Sequence, residues 1–492
     1  MNHPTLEGFR AIAGDGTLVP VYREIVADLE TPVSAYMKLS RDQQHTFLLE
    51  SVEQGEIGRY SFLGGNPSII FKSKGKQVTI TRNGGVETYE SDNALYDLRE
   101  LMSVYEPVEV QGIPSFHGGA VGYMSYDQVR FFETLPDENP DPLNLPDMYF
   151  LITDTILIFD HVRNKLMIVS NAHIQGDVDA AYREAVEKID ALELVLRQPL
   201  IVKNERLHSG EVDTAIRSNF SEDEYCEIVE KAKEYIRAGD IFQVVLSQRF
   251  ERTVHSSPLN LYRALRCVNP SPYMILLELP EFSIVGSSPE VMTQVTGTRC
   301  MVRPIAGTRP RGKNPQEDHD FEVDLMSDEK ELAEHIMLVD LGRNDIGRVS
   351  KIGTVEPTRL KTVERYSHVM HIVSQVEGEL RDDQDAFDAL AATFPMGTVS
   401  GAPKIRAMEI IDELETLRRG PYSGGCGYIS FSGDMDTCIL IRTMIVKDSV
   451  AYLQAGAGIV YDSDPAREYE ETQNKARAMF QAVEFAENGL ES

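Results

Sequence analysis

The chain has 492 residues, 42% of them hydrophobic and 26% charged, enough for two or three domains with sizeable cores. Its formal net charge of −30 disfavours nucleic acid and anionic membranes as partners, because both are bound through clustered Lys and Arg. The same field repels anionic substrates at long range, so an anion site here must be locally positive or carry a metal.

The opening segment MNHPTLEGFRAIAGDG has no basic region followed by an apolar run, so it reads as no signal peptide. No apolar stretch approaches membrane-spanning length. The five cysteines, Cys226, Cys267, Cys300, Cys426 and Cys438, are scattered without a CxxC pair. That argues against disulfides and zinc and for a reduced, cytoplasmic setting.

In chain order, FLLES (Phe47 to Ser51) and YFLITDTILIFDH (Tyr149 to His161) predict buried strands. Tyr182 to Gln198 predicts an amphipathic helix ended by Pro199. A polar, aperiodic stretch at 203–220 divides the chain into a region 1–202 and a region 221–485. The second region opens on a capping box, Ser221 with Glu224, and its helix closes at Gly239. An alternating strand, Ile241 to Glu251, follows directly. YMILLEL, FSIVGS, HVMHIVSQVEG, GGCGYISF, TCILIRTMIV and AYLQAGAGIV continue as adjacent hairpin-like runs. The pattern predicts an α+β fold: large antiparallel sheets packed as a sandwich, helices on the outer faces, the two regions intertwined.

Two helical segments carry acidic faces. KELAEH sets Glu331, Glu334 and His335 at i, i+3 and i+4, and EYEETQNKAR sets Glu468, Glu471 and Lys475 at i, i+3 and i+7. Such faces are commonly just solvated. Clustered carboxylates also suit a hard cation such as Mg²⁺.

Several motifs occur in order: SSPE (Ser287 to Glu290), RPIAGTRPRG, KELAEHIMLVDLGRND, GTVSGAPKIRAMEII, GGCGYISFSGDMDTCILIRT, QAGAGIV and EETQNKAR. Together they resemble the chorismate-utilising enzymes, and among these the large, aminating subunits of anthranilate synthase. FLLES and GRYSFLG extend the resemblance into the first region. It implies a Mg²⁺-dependent lyase acting on chorismate and ammonia: amination at ring carbon 2 with loss of the carbon-4 hydroxyl, then elimination of pyruvate.

By resemblance Glu334 and Glu471 hold Mg²⁺, with Glu331 and Glu468 in support, and the ion binds the ring carboxylate. Lys475 and Thr398 face that carboxylate. Arg442, Tyr422 and the backbone amides of Gly456, Ala457 and Gly458 receive the enolpyruvyl carboxylate. GAGIVY lacks the third glycine of a dinucleotide motif, so close approach of backbone N–H groups to an oxyanion is the better account. Glu290 is the general acid for the departing hydroxyl, and burial beside Val291 and Met292 raises its pKa. His371 removes the ring proton. His368, three residues earlier on an expected strand, points to the opposite face, which disfavours a two-histidine metal site.

Gln243 stands where water-adding relatives carry a lysine base, and Ala306 where aminodeoxychorismate synthases carry a nucleophilic lysine. Both point to direct amination; Thr308 is a further hydrogen-bonding candidate. No cysteine sits in a nucleophile turn, so ammonia is expected from a separate glutamine amidotransferase subunit, in a hetero-oligomer such as a heterotetramer. The resemblance also implies feedback inhibition by L-tryptophan at Glu50, Ser51, Pro272, Tyr273 and Met274, making 1–202 regulatory and 221–485 catalytic. The competing readings are an aminodeoxychorismate synthase and a non-catalytic tryptophan-sensing scaffold.

Overall fold

The computed structural model describes residues 1–51, 57–202, 215–366 and 369–490. Most of the expected linker (203–214) and His368 lie outside them. Two large antiparallel sheets face each other. One runs Leu18–Val26, Lys165–His173, Thr155–Asp160, Tyr60–Gly65, Thr46–Glu50, Tyr273–Glu278, Ser283–Ser288, Thr443–Lys447, Val450–Ile459 and Gln243–Thr253, with short strands at its ends. The other runs Ile305–Pro310, Val369–Glu379, Arg299–Val302, Val291–Thr296, Met435–Ile439, Gly425–Ser430, Gly119–Met124, Met148–Thr153, Ile69–Lys74, Gln77–Arg82 and Gly85–Glu90. Strands from before and after the linker neighbour one another in both sheets, the intertwined α+β sandwich expected from the pattern of strands.

Three apolar layers explain why the central strands are apolar throughout. Phe47, Ile275 and Ile284 of the first sheet meet Val121, Tyr123, Leu151 and Cys438 of the second in the inter-sheet layer. On the first sheet's outer face pack Val178–Leu196, Pro258–Val268 and Pro465–Glu487, with Ile189, Leu261 and Phe480 inward. On the second sheet's outer face pack Ala94–Ser103, Glu329–Gly347 and Ala386–Thr393, with Leu98, Val339 and Leu390 inward. Met148–Thr153 is therefore buried at every position, as a strand covered on both faces must be.

Several sequence expectations need correcting. YFLITDTILIFDH is two strands in different sheets, broken at Asp154, and TCILIRTMIV likewise breaks at Leu440–Arg442. The helix expected to reach Gln198 ends at Leu196, two residues sooner than Pro199 requires. The strand expected to alternate from Ile241 spans Gln243–Thr253, and its first eight residues are buried. The helices Glu222–Ala238 and Lys404–Leu414 pack against its core face, so alternation has nothing to mark. The capping box at Ser221 and the left-handed Gly239 (φ 85°) are both present. Among the described residues no helix is long and apolar enough to cross a membrane.

Candidate active site

Two corners where the chain changes sheets lie side by side. Pro289–Glu290 joins Ser283–Ser288 to Val291–Thr296, and Leu440–Arg442 joins Met435–Ile439 to Thr443–Lys447. Ser287 N–H donates to the Arg442 carbonyl and Ile439 N–H to the Glu290 carbonyl, each at 3.0 Å. Arg442 is thereby held at φ 52°, a left-handed conformation that is costly for a residue with a Cβ. Glu290 is only 5% exposed. Burial pushes its carboxyl up to about 8, with the Thr398 hydroxyl beside it pulling the other way. Its Oε1 has no hydrogen-bond partner among the described residues.

Beyond Leu453 the strand Val450–Ile459 keeps Gln243–Thr253 on one side but has outrun Thr443–Lys447 on the other. Gly456 and Gly458 share one face of this open-edged stretch, and Ala457 packs its methyl on the other, in the core. A Cβ on Gly456 would sit 2.8 Å from Tyr422 Oη, and one on Gly458 2.8 Å from Gln243 Nε2. Both side chains therefore lie directly over the glycines. Lys475 Nζ donates to the Gly456 carbonyl at 2.8 Å and pairs with Glu471 at 2.7 Å.

The acidic faces sit on Glu329–Gly347 and Pro465–Glu487. Gln243 Nε2 donates to Glu334 Oε1 at 2.7 Å; a carboxylate acceptor requires the amide in that orientation. Gln243 Oε1 is left buried without a partner among the described residues. Burial raises the Glu334 pKa, opposed by Gln243 and reinforced by the charges of Glu331 and Glu471. Burial raises Glu468 as well, and Glu471 adds to the shift. Glu331 is paired with Arg309 at 3.1 Å. Among the described residues no three His, Cys, Asp or Glu side chains are gathered into a ready cage. The donor set fits a hard divalent ion that keeps water or substrate oxygens in its shell, as Mg²⁺ does. Beside the second of these helices a cleft of about 420 Å³ is lined by Arg442, Arg467, Glu470, Glu471, Asn474 and Lys475.

His371 lies on Val369–Glu379, opposite Thr308 of Ile305–Pro310. Its Nδ1 is 3.0 Å from Thr308 Oγ1 and 3.1 Å from the Gly307 carbonyl. A carbonyl can only accept, so Nδ1 carries the proton and Nε2 is left as the base. Burial lowers its pKa, the Gly307 carbonyl opposes this, and Arg442 and Lys475 lower it further. The imidazole is thus neutral and within electrostatic reach of both cations. Ala306 occupies the neighbouring register position on the same strand.

The expected inhibitor residues lie elsewhere, and together. Glu50, Ser51, Pro272, Tyr273 and Met274 all line a cavity of about 490 Å³ between the sheets. Tyr262 Oη donates to Glu50 at 2.5 Å, Arg266 lies 3.4 Å from the same oxygen, and Tyr273 Oη donates to Asp436 at 2.8 Å. Tyr262, Arg266 and Asp436 escaped the sequence reading, as did the buried Glu415–Arg419 pair behind Tyr422. No periodicity marks a partner that comes from another element.

The sequence pattern of the chorismate binding enzyme family matches residues 44–481. The chain is 48% identical over 492 residues to anthranilate synthase component 1 of Acetivibrio thermocellus, covering 99% of each chain. It is 46% identical to the protein of that name from Aquifex aeolicus, again over 99% of each. Its structure matches that of anthranilate synthase component I from Streptococcus pneumoniae with TM-score 0.76 at 38% identity, over 92% of this chain and 98% of the other. The menaquinone-specific isochorismate synthase of Escherichia coli shares the fold, with TM-score 0.71 at 19% identity over 97% and 98% of the two chains.

Proposed function

The chain belongs to the chorismate binding enzyme family, and from that premise we propose that it converts chorismate and ammonia to anthranilate and pyruvate, opening tryptophan biosynthesis. The observation that carries this reading is a buried carboxyl with its pKa raised to about 8, backbone-paired to the turn that presents Arg442. A dianion whose hydroxyl must leave as water needs both groups at one place.

Arg442 and Tyr422 take the enolpyruvyl carboxylate at the glycine edge, Lys475 and Thr398 face the ring carboxylate, and Glu290 gives its proton to the departing hydroxyl. Gln243 selects the nucleophile. Its amide cannot deprotonate water, while its Oε1, without a partner among the described residues, accepts a hydrogen bond from ammonia. Ala306 offers no competing nucleophile. His371 Nε2 then takes the ring proton as pyruvate leaves. Glu334 and Glu471, with Glu331 and Glu468 around them, would hold Mg²⁺, which would supply charge neutralisation of the ring carboxylate.

Ammonia comes from a glutamine amidotransferase subunit in a hetero-oligomer, since none of the five free cysteines sits in a nucleophile turn and burial pushes Cys426, the one nearest to such a motif, up to about 12. Those free thiols also support a reduced, cytoplasmic setting. L-Tryptophan binds the inter-sheet cavity and inhibits.

The test is the purified chain with chorismate, Mg²⁺ and ammonium salt, read by anthranilate fluorescence and product mass. Anthranilate with pyruvate, lost on chelation and suppressed by tryptophan, is expected. An aminated product retaining its enolpyruvyl arm indicates an aminodeoxychorismate synthase, and no turnover a scaffold.

A further inference from the structure

The reaction above gives Arg419 no role, yet the walls of the site converge on it. Its side chain is 1% exposed and pairs with Glu415. Nε and Nη2 donate to Glu415 at 3.0 and 2.6 Å, Nη2 also to the Val245 carbonyl at 2.7 Å. Nη1 donates to the Val399 carbonyl at 2.6 Å and to Ser423 Oγ at 3.3 Å. A guanidinium has five N–H donors, and all five are used. Its carbon lies 4.8 Å from the Tyr126 ring centre and 5.5 Å from that of Tyr422.

Each partner leads to a wall of the substrate site. Val399 follows Thr398. Val245 is registered opposite Gly458, and Ser247 opposite Gly456. Ser247 is held by the same Glu415 carboxylate, through N–H at 2.9 Å and Oγ at 2.8 Å. The guanidinium itself lies over the Tyr422 ring. Gly420, next in the chain, is fixed from the other region: Tyr126 N–H donates to its carbonyl, and its N–H donates to Asp127 Oδ2, each at 2.8 Å.

We propose that Arg419, braced by Glu415 and Tyr126, is a positioning residue that sets Tyr422, Thr398 and the glycine edge at the spacing chorismate requires. This rests on the reading of those three elements as chorismate contacts. A buried ion pair is in itself weak evidence for stability. One whose donors also reach Val399 beside Thr398, Ser423 beside Tyr422 and Val245 opposite Gly458 is instead a device for geometry. Lysine keeps the charge beside Glu415 but has three donors and no plane to stack, so it cannot replace the fork.

The test measures chorismate binding by calorimetry with Mg²⁺ and without ammonia, for the full-length wild type, Arg419→Lys, Tyr422→Phe and the double variant, alongside melting temperature and steady-state kinetics with ammonium. Arg419→Lys is expected to weaken the chorismate Kd by about tenfold, with the KM for ammonium unchanged. Its effect and that of Tyr422→Phe should combine to clearly less than their product, because one acts through the other. A lowered melting temperature with an unchanged chorismate Kd, or effects that simply multiply, overturns the proposal. Should Arg419→Lys not fold, Tyr126→Leu removes one stacking face and leaves the ion pair. A severalfold weaker chorismate Kd is then expected, and an unchanged Kd overturns the proposal. A wild type that binds chorismate without making anthranilate sinks the functional reading while the Kd comparison still decides this one. A wild type that does not bind chorismate sinks both.

Discussion

Glu290 and Arg442 stand on adjacent sheet crossings bound to each other through backbone, Ser287 N–H to the Arg442 carbonyl and Ile439 N–H to the Glu290 carbonyl, each at 3.0 Å. The proposed proton donor and carboxylate receiver are thus spaced by strand register rather than by mobile loops, the arrangement that holds a site most tightly.

The Glu290 carboxyl, raised from 4.5 to about 8 by burial, makes two pH dependences. As the proposed acid it would work protonated, so kcat/KM for chorismate should fall as pH rises through about 8. For stability, the folded state retains a proton that the unfolded chain has released between the two values. Stability therefore falls as pH rises across that window and levels off above it. Glu290→Gln escapes this cost. It should be more stable than wild type above pH 8 by on the order of a few kcal/mol, equal to it well below pH 4.5, and inactive throughout. Denaturant melts at several pH values check the first part, and ammonium-dependent turnover the second.

His371 has its Nδ1 occupied by the Gly307 carbonyl at 3.1 Å, which leaves Nε2 free. His371→Asn should slow pyruvate release by about 10²- to 10⁴-fold while amination continues. Mass spectrometry would then find an aminated product that keeps its enolpyruvyl arm. Thr308→Val leaves the Gly307 bond intact and should cost less than about tenfold. Equal loss of amination and elimination in the asparagine variant would assign the base elsewhere.

What the sequence could and could not reveal follows from the fold's corners. Alternation and apolar runs identify strands, so FLLES and HVMHIVSQ were legible. They cannot tell to which of two stacked sheets a run belongs, so TCILIRTMIV read as one strand although Leu440–Arg442 carries it across. The candidate site was legible because its side chains sit in short motifs. Arg419 was not: LRRGPY does not show which arginine is buried or that its acceptors are Val245, Val399 and Glu415, two of them distant in sequence.

Glu50 reaches the inter-sheet cavity with its carboxylate fixed by Tyr262 at 2.5 Å and Arg266 at 3.4 Å. An amino-acid inhibitor needs such a carboxylate for its ammonium group. Glu50→Gln keeps shape and loses charge, so the tryptophan inhibition constant should rise by about tenfold or more relative to the KM for chorismate. An unchanged ratio would place the inhibitor elsewhere.

Gly456 and Gly458 offer the sharpest separation of geometry from stability. A Cβ on Gly458 meets the Gln243 amide, at 2.8 Å from Nε2 and 3.7 Å from Cδ. That amide is the end of a flexible side chain, so Gly458→Ala should fold normally and push Gln243 off Glu334. Activity should then fall by about 10²-fold with little change in melting temperature. A Cβ on Gly456 meets the Leu246 carbonyl oxygen at 2.9 Å as well as Tyr422 Oη at 2.8 Å. Backbone inside a paired strand cannot yield as a side chain can, so Gly456→Ala should lose about 1–3 kcal/mol of stability along with activity. Thermal melts and ammonium-dependent kinetics on the two variants check both halves. If Gly458→Ala kept full activity, the Gln243–Glu334 contact would be incidental to the reaction.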